Sequence, residues 1–199
     1  MNPFGDRETI EGEVFANLDL AATALAGREL YDCEFRNCKL AETTWAQMRL
    51  ESCRFESCDL TRASFAAMKA HGIAFRGCKL MGIDWSVLAQ VNDLVFVESN
   101  LRYCSFVGQK LRKLSVTKCS VIDATFVDVD LANAVFTDCE LANTVFTRCE
   151  LKGARFPGAR GLFIDPRQNK VKGVQVPLES AILLAHAFEM SVIGYSDDD

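Results

Sequence analysis

Nine cysteines and two histidines are the residues of this chain best equipped for chemistry. Thiols at Cys33, Cys38, Cys53, Cys58, Cys78, Cys104, Cys119, Cys139 and Cys149 could hold a metal, pair as disulfides or attack a substrate. Zinc sites favour two to four residues between neighbouring ligands, and further ligands that converge. Cys33/Cys38 and Cys53/Cys58 are spaced by five, so no metal is expected. A nucleophile needs a base beside it, and neither His71 nor His186 has a Cys or Ser in a recognisable arrangement. Gly153, Gly158 and Gly161 lack the Gly-Lys-Ser/Thr of a phosphate loop. The expectation is a protein that is not an enzyme and carries no cofactor.

What positions the cysteines is a ladder of period five. From Phe15 it runs Leu20, Leu25, Leu30, Phe35, Leu40, Trp45, Leu50, Phe55, Leu60, Phe65, Ala70, Phe75, Leu80 and Trp85. After a one-residue slip it resumes at Val91 and continues through Phe96, Leu101, Phe106, Leu111, Val116, Val121, Phe126, Leu131, Phe136, Leu141, Phe146, Leu151 and Phe156. Five matches neither the helical 3.6 nor the strand 2.0. It fits a chain that turns a corner every five residues and points one large side chain inward per side. Phe15, Phe35, Phe55 and Phe75 recur every twenty, as do Trp45, Phe65 and Trp85, with leucine columns between them. Four sides to a coil follow, and like residues stack on like from coil to coil.

Each cysteine stands two residues before a ladder position. Elsewhere that slot often holds Ala or Thr, as at Ala63, Ala124, Ala134, Ala154, Thr43 and Thr144, and a free Cys is another small side chain that fits inside. In the column Cys38, Cys58, Cys78 the coils would stack about 4.8 Å apart. Parallel Cβ vectors would then leave the Cβ atoms farther apart than the roughly 3.8 Å a disulfide prefers. Free thiols are expected.

These residues resemble the pentapeptide-repeat family, whose A(D/N)LXX pattern survives in Ala-Asn-Leu at 16–18 in shifted register. Looser copies are Cys-Asp-Leu at 58–60, Cys-Glu-Leu at 139–141 and 149–151, and Cys-Lys-Leu at 38–40 and 78–80. The resemblance implies an all-β fold: a right-handed quadrilateral β-helix of about seven coils, closed by a short C-terminal capping α-helix. Residues 1–13 read as a lead-in, 14–158 as the solenoid, and 159–199 as a connection, a capping and dimerisation helix and an acidic tail. The extra residue within 86–90 predicts a bulge or kink. Past Phe156 a turn-rich stretch with a short Val171–Val176 strand is expected, then a helix from Leu178 to about Phe188 behind Pro177. That helix is apolar nearly all round. One side would cover the last coil, and Leu178, Ile182, Leu183, Leu184, Phe188, Met190, Val192 and Ile193 would join a second copy.

Composition narrows the partners. The net charge of −5 argues against a general basic footprint for nucleic acid. No apolar run approaches the ~18 residues that span a bilayer. Asp6, Glu8, Glu11 and Glu13 near the start are unlike a secretory signal, and a cytoplasmic location is expected. Between Lys118 and Arg148 there are no cations, whereas Asp123, Asp128, Asp130, Asp138 and Glu140 occur there and are expected to be exposed as an acidic band.

Val-Pro-Leu-Glu-Ser-Ala-Ile-Leu-Leu at 176–184 and Met-Ser-Val-Ile-Gly at 190–194 are similar to the end of the Qnr quinolone-resistance proteins and of immunity proteins against gyrase poisons. Lys-Leu-Met-Gly-Ile-Asp-Trp at 79–85 is similar to a segment of the same group. That resemblance implies a homodimer that imitates duplex DNA in gyrase or topoisomerase IV and relieves a quinolone or toxin. The alternative is a structural or interaction rod with another partner.

Overall fold

The structure, a computed structural model, describes residues 3–88 and 90–193. The tail expected at Asp197, Asp198 and Asp199 lies outside these residues, as do Gly194 and Ala89 of the slip segment. The chain winds a four-sided, right-handed β-solenoid of about seven coils with one C-terminal helix. Its sides are strands mostly three residues long, each with the ladder residue buried between two outward neighbours, as in Glu34–Arg36 and Val135–Thr137. All pairing is parallel between successive coils: Phe15 lies beside Phe35, Phe35 beside Phe55, and Val116 beside Phe136. Pairing begins at Thr9, beside Glu29, and its last bridge joins Arg155 to Gln175.

A left-handed residue two places after the ladder position turns each corner. Asn37, Ser57, Asp128 and Asn143 have φ of 51–57° there, and so do side chains less suited to it, such as Ala67 and Arg148. At Gly158, φ 66°, a Cβ would sit 2.2 Å from Asp138 Oδ1 one coil earlier, so a larger residue there would make the Asp138 side chain turn away.

The core is a double aromatic stack. Phe15, Phe35, Phe55, Phe75 and Phe96 lie face to face at 4.8–5.4 Å between ring centres. Trp85, Phe106, Phe126 and Phe146 form the opposite column at 4.6–5.8 Å. The columns meet edge to face, as where Phe126 and Phe136 cross at 89°. Both geometries suit the aromatic quadrupole, at about 0.5–1.5 kcal/mol per pair beyond burial.

All nine cysteines are free and buried. Where a polar side chain fills the slot they occupy, it also donates inward. The thiols of Cys38, Cys58, Cys78 and Cys149 each point at a carbonyl one coil back, at 3.3 Å. In the same slot the Thr144 hydroxyl donates to the Val121 carbonyl at 2.9 Å. The hydroxyl of Thr43 donates to the Leu40 carbonyl and accepts from Trp45 Nε1 at 2.8 Å. Burial pushes the thiols of Cys53 and Cys139 up to about 12.

The slip takes a specific form. Around it the register changes from twenty to twenty-one, with Phe75 beside Phe96 and Asp84 beside Ser105. A single 3₁₀ turn, Trp85–Val87, absorbs the extra residue, with the Asp84 carboxylate accepting from Ser86 N. The adjoining strands Lys69–Arg76 and Gln90–Val97 run eight residues each and span a corner.

The Val171–Val176 strand expected from sequence is replaced by two further sides of the coil. Val171 stands twenty residues after Leu151 and is half-buried, whereas Val176, twenty after Phe156, is exposed. Only the single bridges at Lys170 and Gln175 mark this stretch, and Val171 and Val174 pack on the core. Asn169 fills the donor slot there. Its Nδ2 donates to the Phe146 carbonyl at 2.8 Å, and its Oδ1 accepts from Cys149 N.

Walls and C-terminal end as the candidate functional site

The solenoid interior is filled, so the surfaces left for other molecules are four walls and two ends. The five acids expected to form a band are placed by the coil on different walls, because residues 123–140 make nearly a full turn. Asp128 and Asp138 are exposed, while Asp123, Asp130 and Glu140 are half-buried, not open as expected. Four of the five meet a cation from an adjacent coil. Arg148 grips Asp128 at 2.7 and 2.8 Å and holds its carboxyl below the usual range. Arg160 pairs with Glu140, Arg112 lies 3.6 Å from Asp130, and Arg102 lies 3.8 Å from Asp123. Asn143 also donates to Asp123 at 3.1 Å. A cation-free run in sequence is therefore a charge-compensated belt in space.

The same compensation runs along other columns. On one wall Asp19, Lys39, Asp59 and Lys79 bridge in succession, with Lys39 3.0 Å from Asp19 and Lys79 3.5 Å from Asp59. All 22 Lys and Arg residues precede Val176, whereas five of the 27 acids, Glu179, Glu189, Asp197, Asp198 and Asp199, follow it. The solenoid itself is neutral, and the whole excess of negative charge belongs to the C-terminal segment.

That segment is built from Leu178–Ala187, a ten-residue helix. Pro177 enters it, and Glu179 sits in the first turn, where the helix dipole favours an acid and the carboxylate reaches Gly161 N. Ile182 is buried against its own chain, and so belongs to the attachment of the helix, not to the open surface expected of it. Leu184 and Val192 are half-buried. Leu178, Leu183, Phe188, Met190 and Ile193 are exposed, Leu178 by 76%. The Arg167 guanidinium stacks 4.8 Å from the Phe188 ring centre and pairs with Asp165. That pairing holds Asp165 down at about 2.

At the opposite end Phe4 is buried edge-on against Phe15, with 5.4 Å between ring centres. It closes the first coil, a role that sequence reading missed because Phe4 lies off the ladder. Among the described residues no group of three or more Cys, His, Asp or Glu is placed to share a metal, and no helix is long and apolar enough to cross a membrane.

A filled parallel solenoid with an apolar terminal helix defines a repeat protein that presents its walls and ends as surfaces. The pentapeptide repeat region matches residues 28–96 and 89–156, and the chain belongs to that family. No curated protein matches it in sequence. Among solved structures it is similar to two trypsin-treated variants of QnrB1, described as a plasmid-mediated fluoroquinolone resistance protein. One is 19% identical with a TM-score of 0.61, covering 93% of this chain and 97% of that one. The other is 22% identical with the same TM-score, covering 94% and 92%.

Proposed function

We propose that this chain is a non-catalytic docking rod that dimerises through its terminal helix and engages a type II topoisomerase. The observation that carries the reading is the contrast between compensated walls and an end that leaves Leu178, Leu183, Phe188, Met190 and Ile193 uncovered. Exposed apolar side chains clustered at one place favour a protein contact. The topoisomerase is suggested by the resemblance of the 176–184 and 190–194 segments to the quinolone-resistance group, alongside the shared solenoid.

Neutral walls change how such a contact would work. Duplex DNA carries about one charge per 1.7 Å of its axis, and 22 cations cancel the acids of this solenoid. Recognition would rest on the shape of the rod and on its acidic, apolar end, not on a wall of phosphate-like charge.

The test is gyrase supercoiling with purified protein, with and without a fluoroquinolone. Inhibition or protection at micromolar protein is expected. Replacing Asp123, Asp128, Asp130, Asp138 and Glu140 together by Asn or Gln should leave that effect largely intact. No effect of the unaltered protein on gyrase or topoisomerase IV would remove the topoisomerase. The charge balance specifically favours the second reading, an interaction rod for another protein. A dimer that leaves both enzymes untouched would support it.

A further inference from the structure

One wall combines unpaired cations with a dented surface. Its buried column reads Ile10, Leu30, Leu50, Ala70, Val91, Leu111, so two small residues stand where leucine is usual. Over them the wall carries two shallow depressions of about 240 and 230 Å³ that share Asn92. Arg49, Lys69 and His71 line the first, and Lys110 and Arg112 line the second. Lys113 adjoins at the corner.

The ion pairs within this patch are incomplete. Glu51 takes Arg49 at 3.1 Å, Asp93 lies 3.7 Å from His71, and Asp130 lies 3.6 Å from Arg112. Lys69, Lys110 and Lys113 are exposed and make no ion pair among the described residues. Lys69 and Lys110 occupy the same outward position two coils apart, or about 10 Å at the spacing of paired strands. Unpaired ammonium groups of Lys69 and Lys110 in depressions that share Asn92, with Lys113 two residues past Leu111, make a seat for carboxylates.

We propose that this saddle binds an acidic polypeptide segment lying along the wall. The mixed charge decides between polypeptide and nucleic acid. A phosphate backbone offers acceptors alone and would face Glu51, Asp93 and Asp130. A polypeptide brings carboxylates for Lys69, Lys110 and Lys113 together with N–H donors for those three acids. The seat lies on a wall, apart from the terminal helix, and does not depend on the topoisomerase reading.

The experiment is fluorescence anisotropy of the full chain with a fluorescein-labelled peptide of alternating Glu and Gly. A Lys/Gly peptide and a short DNA duplex serve as the other arms. Saturable binding of the Glu peptide is expected, weakening as salt rises. The variant Lys69→Glu/Lys110→Glu/Lys113→Glu should weaken it by at least about tenfold, since like charges then face each other. Its melting curve checks that the fold is kept, and Lys69→Gln/Lys110→Gln serves if it is not. Absent binding, equal binding by the variants, or tighter binding of the duplex would overturn the proposal. So would a change of oligomeric mass in the variants, which would make the seat a contact between copies.

Discussion

The walls and the C-terminal end of this molecule obey different rules. On a wall each side chain has a neighbour twenty residues away at paired-strand distance, so a like charge there is penalised and an opposite one rewarded. Asp19, Lys39, Asp59 and Lys79 alternate accordingly. Where the column breaks the rule, at Asp130 beside Glu150, each acid turns to a separate cation, Arg112 and Lys170. The end has no following coil. No Lys or Arg follows Val176 to balance the acids there, and Leu178, Leu183, Phe188, Met190 and Ile193 stay open. In a stacked coil a sequence-local charge run is a poor guide to the surface, because the partners that cancel it are a full turn away.

The sharpest way to break this comparison is from inside. Phe136 is fully buried, stacked 5.1 Å from Phe156 and crossed by Phe126 and Phe146. Phe136→Ala should destabilise the fold by roughly 3–5 kcal/mol through lost burial and a cavity. A urea midpoint unchanged from the unaltered chain would show that the stack does not hold the walls. At the end the reverse is expected. Leu183→Asp with Met190→Asp should halve the mass measured by light scattering and leave far-ultraviolet circular dichroism as it was. A dimer that survives both would move the contact elsewhere.

A smaller effect tests how the end is fastened. Arg167 holds Asp165 down at about 2, against an ordinary carboxyl near 3.9. This contribution is complete above pH ~4 and is lost as pH falls toward 2, since the unfolded chain takes up its proton first. Asp165→Asn should lower the urea midpoint at neutral pH and flatten its decline between those values. An unchanged decline would assign the acid sensitivity to other carboxylates. The smallest effect concerns a corner: Ala67 holds φ 55° and is exposed, so Ala67→Gly should stabilise by about 0.5–1 kcal/mol, left-handed strain relieved less the entropy of glycine. A lower melting temperature would mean the corner is unstrained.

Much of the fold is legible in the sequence, because one buried residue per side leaves a period that no helix or flat strand produces. The terminal helix is legible too, from Pro177 and an unbroken apolar run. Four things were hidden for physical reasons. Phe4 caps the first coil without sharing its period. Val171–Val176 looks like a strand because β-branched residues also suit the short sides of a coil. The five acids look like a band because their cations, Arg102, Arg112, Arg148 and Arg160, lie outside the run. Ile182 could not be sorted from Leu183 by pattern alone, since the helix is apolar on more than one side. The donor role of the cysteine slot had one available signal, the recurrence of Thr at Thr43 and Thr144, where Ala alone would have meant volume only.

The hydrogen-bonded, buried thiols have a practical consequence. All nine sulfurs are enclosed and burial holds Cys53 and Cys139 near 12, so the folded chain gives an alkylating reagent little access to a native thiolate. A single cysteine introduced on an outer wall, for instance Thr147→Cys, would be the group that reacts. Dyes, spin labels and photo-crosslinkers can then be placed one at a time along the rod without first stripping its native sulfur, giving a ruler on which to map whatever docks.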